Sequence, residues 1–319
     1  MIKFFANAPD NPTTGSLGYA QAILRVNYQY FLTGLVEIQL DPESKFVLLV
    51  SEGNQAGAYH IQGNACREIE FSDLPDIWQK GDAAIRSMNL PRESIRAVKE
   101  VLEWSPPRDE VECDSKSVAQ YLDQYRDENA SGLVRVSWPR TEGFVTVWHG
   151  RMLNPDTVFS TPNGVEAGAA MARQITNNPE SGCILTFYQA IPGTQTYQQQ
   201  CLRVAVAQWS KGILDRYLQL VGRSLLTALA NDLNNKMGAQ SWFIQVIGDS
   251  IIDTDVFANI AAANQAYTAL MASLVSHMNN IIGRNLTNTV LLETYSTLAP
   301  VEQETIQYNS LLPVAAVPV

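Results

Sequence analysis

Two stretches of this chain read alike, and that likeness constrains the fold more than any other feature. Leu32-Thr33-Gly34-Leu35-Val36-Glu37-Ile38 resembles Ala130-Ser131-Gly132-Leu133-Val134-Arg135-Val136. Phe46-Val47-Leu48-Leu49-Val50-Ser51-Glu52-Gly53 resembles Phe144-Val145-Thr146-Val147-Trp148-His149-Gly150. One residue of gap brings both halves into line and also pairs Pro42 with Pro139. A repeat of this kind means that one supersecondary unit is built twice.

The residues of the unit say what it contains. Leu35, Glu37, Gln39 alternate with Val36, Ile38, Leu40, the pattern of a strand. Phe46–Val50 reads as its partner, and Asp41-Pro42-Glu43-Ser44 and Pro139-Arg140-Thr141-Glu142-Gly143 are turn chemistry between strands. Gly53 and Gly150 end the second strand, where only glycine takes a positive φ cheaply. An amphipathic helix precedes each hairpin, on Ala20, Ile23, Leu24, Asn27, Phe31 and on Val118, Tyr121, Leu122, Tyr125. A second helix is expected after each, about Arg92 to Glu103 and about Gly164 to Ile175. A strand-like run, Cys183–Tyr188, closes the second unit, and the first carries an insertion around Cys66 to Leu90. The expected fold class is α+β: two similar small helix–hairpin–helix modules, 1–110 and 111–190. A mainly helical C-terminal domain with a short β-hairpin and an apolar tail follows over 191–319, and it is expected to be the oligomerisation domain, with 201–319 as the main self-association surface.

Helix, Ser/Thr-Gly-Leu-Val, hairpin, glycine turn and helix together resemble the PATAN-type modules of bacterial regulatory proteins. There a helix ending in a Thr-Gly-hydrophobic strand leads to a strand ending in an acidic-Gly turn. Glu52-Gly53 fits that turn and His149-Gly150 departs from it. The resemblance covers about Ser16–Glu103 and Ser117–Tyr188. It implies protein–protein interaction in signalling, with no catalytic residue to carry over.

Composition changes after a linker-like stretch, Gln189–Gln200. Of the net charge of −10, only −2 lies in 201–319, from six basic and eight acidic residues. One long helix is expected over about Leu202–Asn235, with apolar stripes on two sides: Trp209, Ile213, Tyr217, Leu220 and Leu214, Leu218, Val221, Leu225. A hairpin about Trp242–Ile252 and helices about Val256–Ile282 and Leu286–Leu298 complete the domain. Val221-Gly222-Arg223 echoes Ile282-Gly283-Arg284. The end, Leu311-Leu312-Pro313-Val314-Ala315-Ala316-Val317-Pro318-Val319, is apolar and proline-interrupted, so it is expected to dock rather than extend a helix.

Chemistry is sparse. An acidic chain lacks the basic footprint of a nucleic-acid binder. No window approaches the ~18 apolar residues of a membrane span. The N-terminus has no signal-peptide core, so a cytoplasmic protein is expected. His60, His149 and His277 stand in no metal or triad motif, and Asp249, Asp253 and Asp255 match no cation loop. Cys66, Cys113, Cys183 and Cys201 show no CxxC spacing, and buried reduced thiols are expected. Tyr19, Tyr28, Tyr30 and Phe31 read as packing aromatics. No enzyme activity, cofactor or metal is therefore expected. The expected function is a non-enzymatic interaction module, a regulatory adaptor or scaffold in bacterial signalling, that binds itself as a homo-oligomer and binds a further protein. The alternative is a structural subunit that self-assembles into a filament. The candidate interaction residues are Trp148, His149 and Arg151 at one turn, Trp209, Ile213 and Leu214 on the two-sided helix, and Leu311, Leu312 and Val314 in the tail. If the acidic N-terminal half faces the partner, the contact should weaken with salt.

Overall fold

The computed structural model describes residues 3–63, 65–78 and 81–312. The chain forms two compact units, Met1–Thr196 and Tyr197–Val319. Val314 and the rest of 313–319 lie outside the described residues.

The first unit runs β1 (Asn11–Gly15), α1 (Leu17–Gln29), β2 (Gly34–Asp41), β3 (Ser44–Ser51), β4 (Asn54–Gln62), β5 (Ala65–Glu68), α2 (Leu74–Ile77), β6 (Ala83–Asn89) and α3 (Arg92–Glu103). It continues with β7 (Asp109–Asp114), α4 (Val118–Asp127), β8 (Gly132–Ser137), β9 (Glu142–Trp148), β10 (Arg151–Met152), β11 (Val158–Thr161), β12 (Gly164–Ala167), α5 (Met171–Thr176) and β13 (Gly182–Gln189). Two antiparallel sheets result, ordered β1-β6-β2-β3-β4-β5 and β7-β13-β8-β9-β11-β12, with β10 paired to β9.

This corrects the expected fold class. The protein is a mixed α/β chain with three antiparallel sheets, mainly β in its N-terminal half, and its repeats are not helix–hairpin–helix modules. Strands follow each hairpin directly, and in the first repeat the helix expected about Arg92–Glu103 comes after them as α3. β4 and β6 carry Ala56, Gly57, Ala58, Ala83 and Ala84, so no apolar alternation shows in them. Their state comes from hydrogen bonding to a strand on each side. The helix expected about Gly164 to Ile175 is instead strand β12 and the short α5. The left-handed Gly168 (φ +114°) separates them, a conformation that an L side chain resists.

The repeat itself is visible atom by atom. Phe31 and Asn129 share a left-handed φ of 52° and 53°, and Glu52 and His149 share 47° and 46°. Leu32 N–H donates to the Asn27 carbonyl and Ala130 N–H to that of Tyr125. Glu52 N–H donates to Thr33 Oγ1 at 3.0 Å, and His149 N–H to Ser131 Oγ at 2.9 Å. Gly34 and Gly132 open β2 and β8 at the same place. A Cβ there would stand 2.2 Å from the carbonyl oxygen of Met88 or of Tyr188. The closing strands β6 and β13 therefore pass too near for any other residue.

α3 packs against β2, β3, β4 and β5 of one sheet and β8, β11 and β12 of the other, and is buried almost all round. Beside it the inner layer is ionic. Lys45 Nζ lies 2.9 Å from Glu37 Oε1, and Arg86 Nη1 lies 2.8 Å from Glu37 Oε2. Arg86 also donates to the Phe4 and Phe5 carbonyls at 2.7 Å each and pairs with Asp10. Phe5 N–H donates to Glu142 Oε2 at 2.7 Å, and Glu142 is held by Arg135. Glu37–Lys45 and Arg135–Glu142 occupy equivalent diagonal positions on their hairpins, with the charges exchanged. Two copies of an acidic strand face to face would repel. The exchange removes that repulsion between the duplicated inner faces.

The second unit holds α6 (Gln195–Val221, whose first residues close the first unit), α7 (Arg223–Ala239), β14 (Ile244–Ile247), β15 (Ser250–Asp253), α8 (Ile260–Ile282), α9 (Arg284–Ser296) and α10 (Pro300–Tyr308). The stretch read as a linker already contains the start of α6, and the single long helix is in fact two. Gly222 (φ +81°) and Gly283 (φ +79°) each end one helix and cap the next. The echo of Val221-Gly222-Arg223 in Ile282-Gly283-Arg284 is thus one joint used twice. Leu226 N–H donates to the Gly222 carbonyl and Thr287 N–H to that of Gly283.

Candidate interaction surface

Of the expected interaction residues, Trp148, Trp209, Ile213, Leu214 and Leu311 are buried. Trp209, Ile213 and Leu214 are fully buried in the second unit, with Leu229, Leu233, Leu270 and Leu291. The chain's own helices cover α6 along Trp209, Ile213, Leu214 and Tyr217, whereas Leu220 and Leu225, expected in the same stripes, are 40% and 38% exposed. Leu311 is buried in that same core and Leu312 packs on it. Leu311→Ala should therefore cost about 2–5 kcal/mol, the range for a buried Leu truncation, read as a lower melting temperature with unchanged oligomeric mass. At the remaining turn, Trp148 is buried and His149 is half-buried, while Arg151 is exposed. That turn repeats the one at Ser51–Gly53, which is a structural device in both copies.

His277 lies 3.2 Å from Asp232, a carboxylate 45 residues earlier that also takes Lys236 at 2.9 Å. The hydrogen bond from Lys236 chiefly holds the Asp232 carboxyl below its usual range. Asp253 and Asp255 belong to a packed network. Arg203 Nε reaches Asp253 at 3.0 Å, Tyr267 donates to the same carboxylate, and Phe243 N–H donates to Asp255 at 3.2 Å. Burial, then the neighbouring Asp253, pushes the Asp255 carboxyl up. Among the described residues no group of three His, Cys, Asp or Glu is placed to hold a metal ion, and no helix is long and apolar enough to cross a membrane.

An exposed apolar surface lies on α1, beside scattered exposed apolar residues such as Ile247, Ile281 and Tyr308 elsewhere. Ala20 and Leu24 alone are fully buried there. On the outer side stand Tyr19 (48% exposed), Val26 (47%), Tyr30 (65%) and Phe31 (71%), with Ala22 between them. Their spacing of three and four residues forms one stripe along the helix. Between Ser16 and Leu32 the one charged residue is Arg25. The second repeat shows what the fold requires at these positions. Its equivalents are Ser117, Gln120, Gln124, Glu128 and Asn129, all polar. The unit folds with a wet helix there, so the apolar stripe of α1 is not needed for folding. Phe31 adds a further sign. A bulky residue in the left-handed region is costly, and Asn129 is the ordinary occupant of that conformation. Strain held at an exposed aromatic points to a use for it.

From sequence alone these aromatics read as packing groups. Carrying the repeat alignment back into the helices would have found them, because Tyr30-Phe31 aligns with Glu128-Asn129. Compared with family models, with curated proteins and with solved structures, the chain matches none.

Proposed function

We propose that the chain is a non-enzymatic protein–protein interaction module, a cytoplasmic adaptor or scaffold, and that its docking element is the outer face of α1. The observation that supports this is the contrast between the two repeats: one helix face apolar and strained, its duplicate polar. The resemblance to PATAN-type modules points to the same class and to bacterial signalling.

The occupant we propose is a second copy of the chain. Fully open aromatic side chains present about 150–250 Å² each, so the stripe amounts to roughly 500 Å². Two stripes meeting face to face bury about 1,000 Å², the lower bound of specific interfaces. Two chains of net charge −10 repel over most of their surface, and α1, without an acidic group, lets them approach. Such a contact is isologous and closes as a dimer, whereas a filament needs a second, unlike surface.

Light scattering should give a dimer mass at micromolar concentration for the native chain and a monomer mass for Val26→Asp/Tyr30→Glu. Gln124→Asp on the duplicate helix should leave the dimer intact. Salt should strengthen this contact by screening the repulsion between the two acidic chains, whereas a contact made by charge attraction would weaken. A native monomer, or a variant of unchanged mass, would refute the reading.

A further inference from the structure

We propose that Cys113 and Cys183 form a redox-modification site, a thiol pair that a small disulfide such as oxidised glutathione converts into a cross-strand disulfide. The two residues stand directly opposite each other on β7 and β13, with their sulfurs 3.5 Å apart. Opposed Cα atoms in an antiparallel sheet are about 4.5–5.5 Å apart, inside the span of about 4.4–6.8 Å that a disulfide bridges. The duplicate again shows what the fold itself asks for. The equivalent pair on β1 and β6 is Gly15 opposite Ala83. Small residues suffice at this pairing, and two thiols at both of its positions are an addition of the second repeat.

Access is present. A surface cavity of about 770 Å³ is lined by Cys113, Cys183, Ser137, Trp138 and Gly182. Cys113 is half-buried and Cys183 buried, which makes Cys113 the point of entry. Its thiolate attacks one sulfur of glutathione disulfide and expels a glutathione thiolate, which takes up the Cys113 proton. Cys183 then attacks the Cys113 sulfur of the mixed disulfide and expels the second glutathione, which takes the Cys183 proton. Two cysteine thiols are oxidised and one glutathione disulfide is reduced to two glutathiones. Burial, then the hydrogen bond with Cys113, pushes the Cys183 thiol up to about 12, so the closing step is slow at neutral pH. The bond would fasten β7, the end strand of its sheet, and close a loop between residues 70 apart in sequence. A loop of that length restricts the unfolded chain strongly. Closure is independent of the α1 contact.

The full-length chain is held for hours with oxidised or reduced glutathione, denatured, alkylated and mapped by mass spectrometry. Oxidised samples should keep two alkylated cysteines of four and yield a linked peptide pair containing Cys113 and Cys183. They should also melt several degrees higher than the reduced samples. Cys113→Ser and Cys183→Ser should abolish both effects. Cys66→Ser/Cys201→Ser keeps the pair as the sole thiols and should still lose both. Glutathione retained on Cys113 beside a free Cys183, linkage through another cysteine, or four surviving thiols would overturn the proposal.

Discussion

Gly132→Ala is expected to destabilise the first unit by at least about 4 kcal/mol, and Gly34→Ala by a similar amount. Each new Cβ would stand 2.2 Å from a carbonyl oxygen of the strand that closes its sheet, Tyr188 in one repeat and Met88 in the other. That oxygen belongs to strand backbone paired with the strand that carries the glycine, so it cannot swing aside as a side-chain tip would. Relief means parting β8 from β13, or β2 from β6, along pairs that run through the middle of each sheet. For a unit of this size a loss of 4 kcal/mol lowers the melting point by about 10 °C or more. Gly182→Ala is the control, because a Cβ there meets nothing within 4 Å, and it should stay within about 1 kcal/mol of the native chain. Thermal melts of the three variants decide the matter. Native-like melting of Gly132→Ala would mean that the close approach is absent in solution.

Arg86→Met should cost about 3–5 kcal/mol, the usual result of removing one partner from a buried ion pair. Arg86 serves four groups at once: Glu37, Asp10 and the carbonyls of Phe4 and Phe5. Its loss leaves Glu37 with Lys45 as its cation and leaves two buried carbonyls without this donor. Adding Asp10→Asn should recover part of the loss by removing the carboxylate that loses Arg86 as its cation. It should not recover all, since the carbonyls still lack their donor, at about 1–3 kcal/mol for an unsatisfied buried group. Chemical denaturation of the single and double variants measures both terms. A double variant as stable as the native chain would show that the N-terminal residues draw nothing from Arg86.

The duplication, both hairpins and the glycine turns were legible in the amino-acid sequence. Each depends on short-range requirements: a positive φ at Gly53 and Gly150, a close approach at Gly34 and Gly132, and turn residues between apolar runs. The exchange of Glu37 for Arg135 also stood in the aligned repeats, although its meaning needed the partners Lys45 and Glu142. The burial of Trp209, Ile213, Leu214 and Tyr217 is legible in their helical spacing, though Leu220 and Leu225 of the same pattern face water. Apolarity, however, is the same whether a neighbouring helix or another chain covers it, so Trp209 and Leu214 pointed to an interface that the chain's own helices supply.

Tertiary structure alone decided the rest, because it turns on residues distant in sequence. β4 and β6 are strands by virtue of the strands beside them, not of their own alanine-rich pattern. Arg86 becomes a buried hub only once residues 4 and 5 are laid against it. Cys113 and Cys183 become a pair only when β13 inserts between β7 and β8. Likewise, Tyr30 and Phe31 are aromatic in the sequence and exposed only in the fold. A helix pattern records which side is apolar, while the packing of α1 on its sheet through Ala20 and Leu24 determines which apolar side is left facing water.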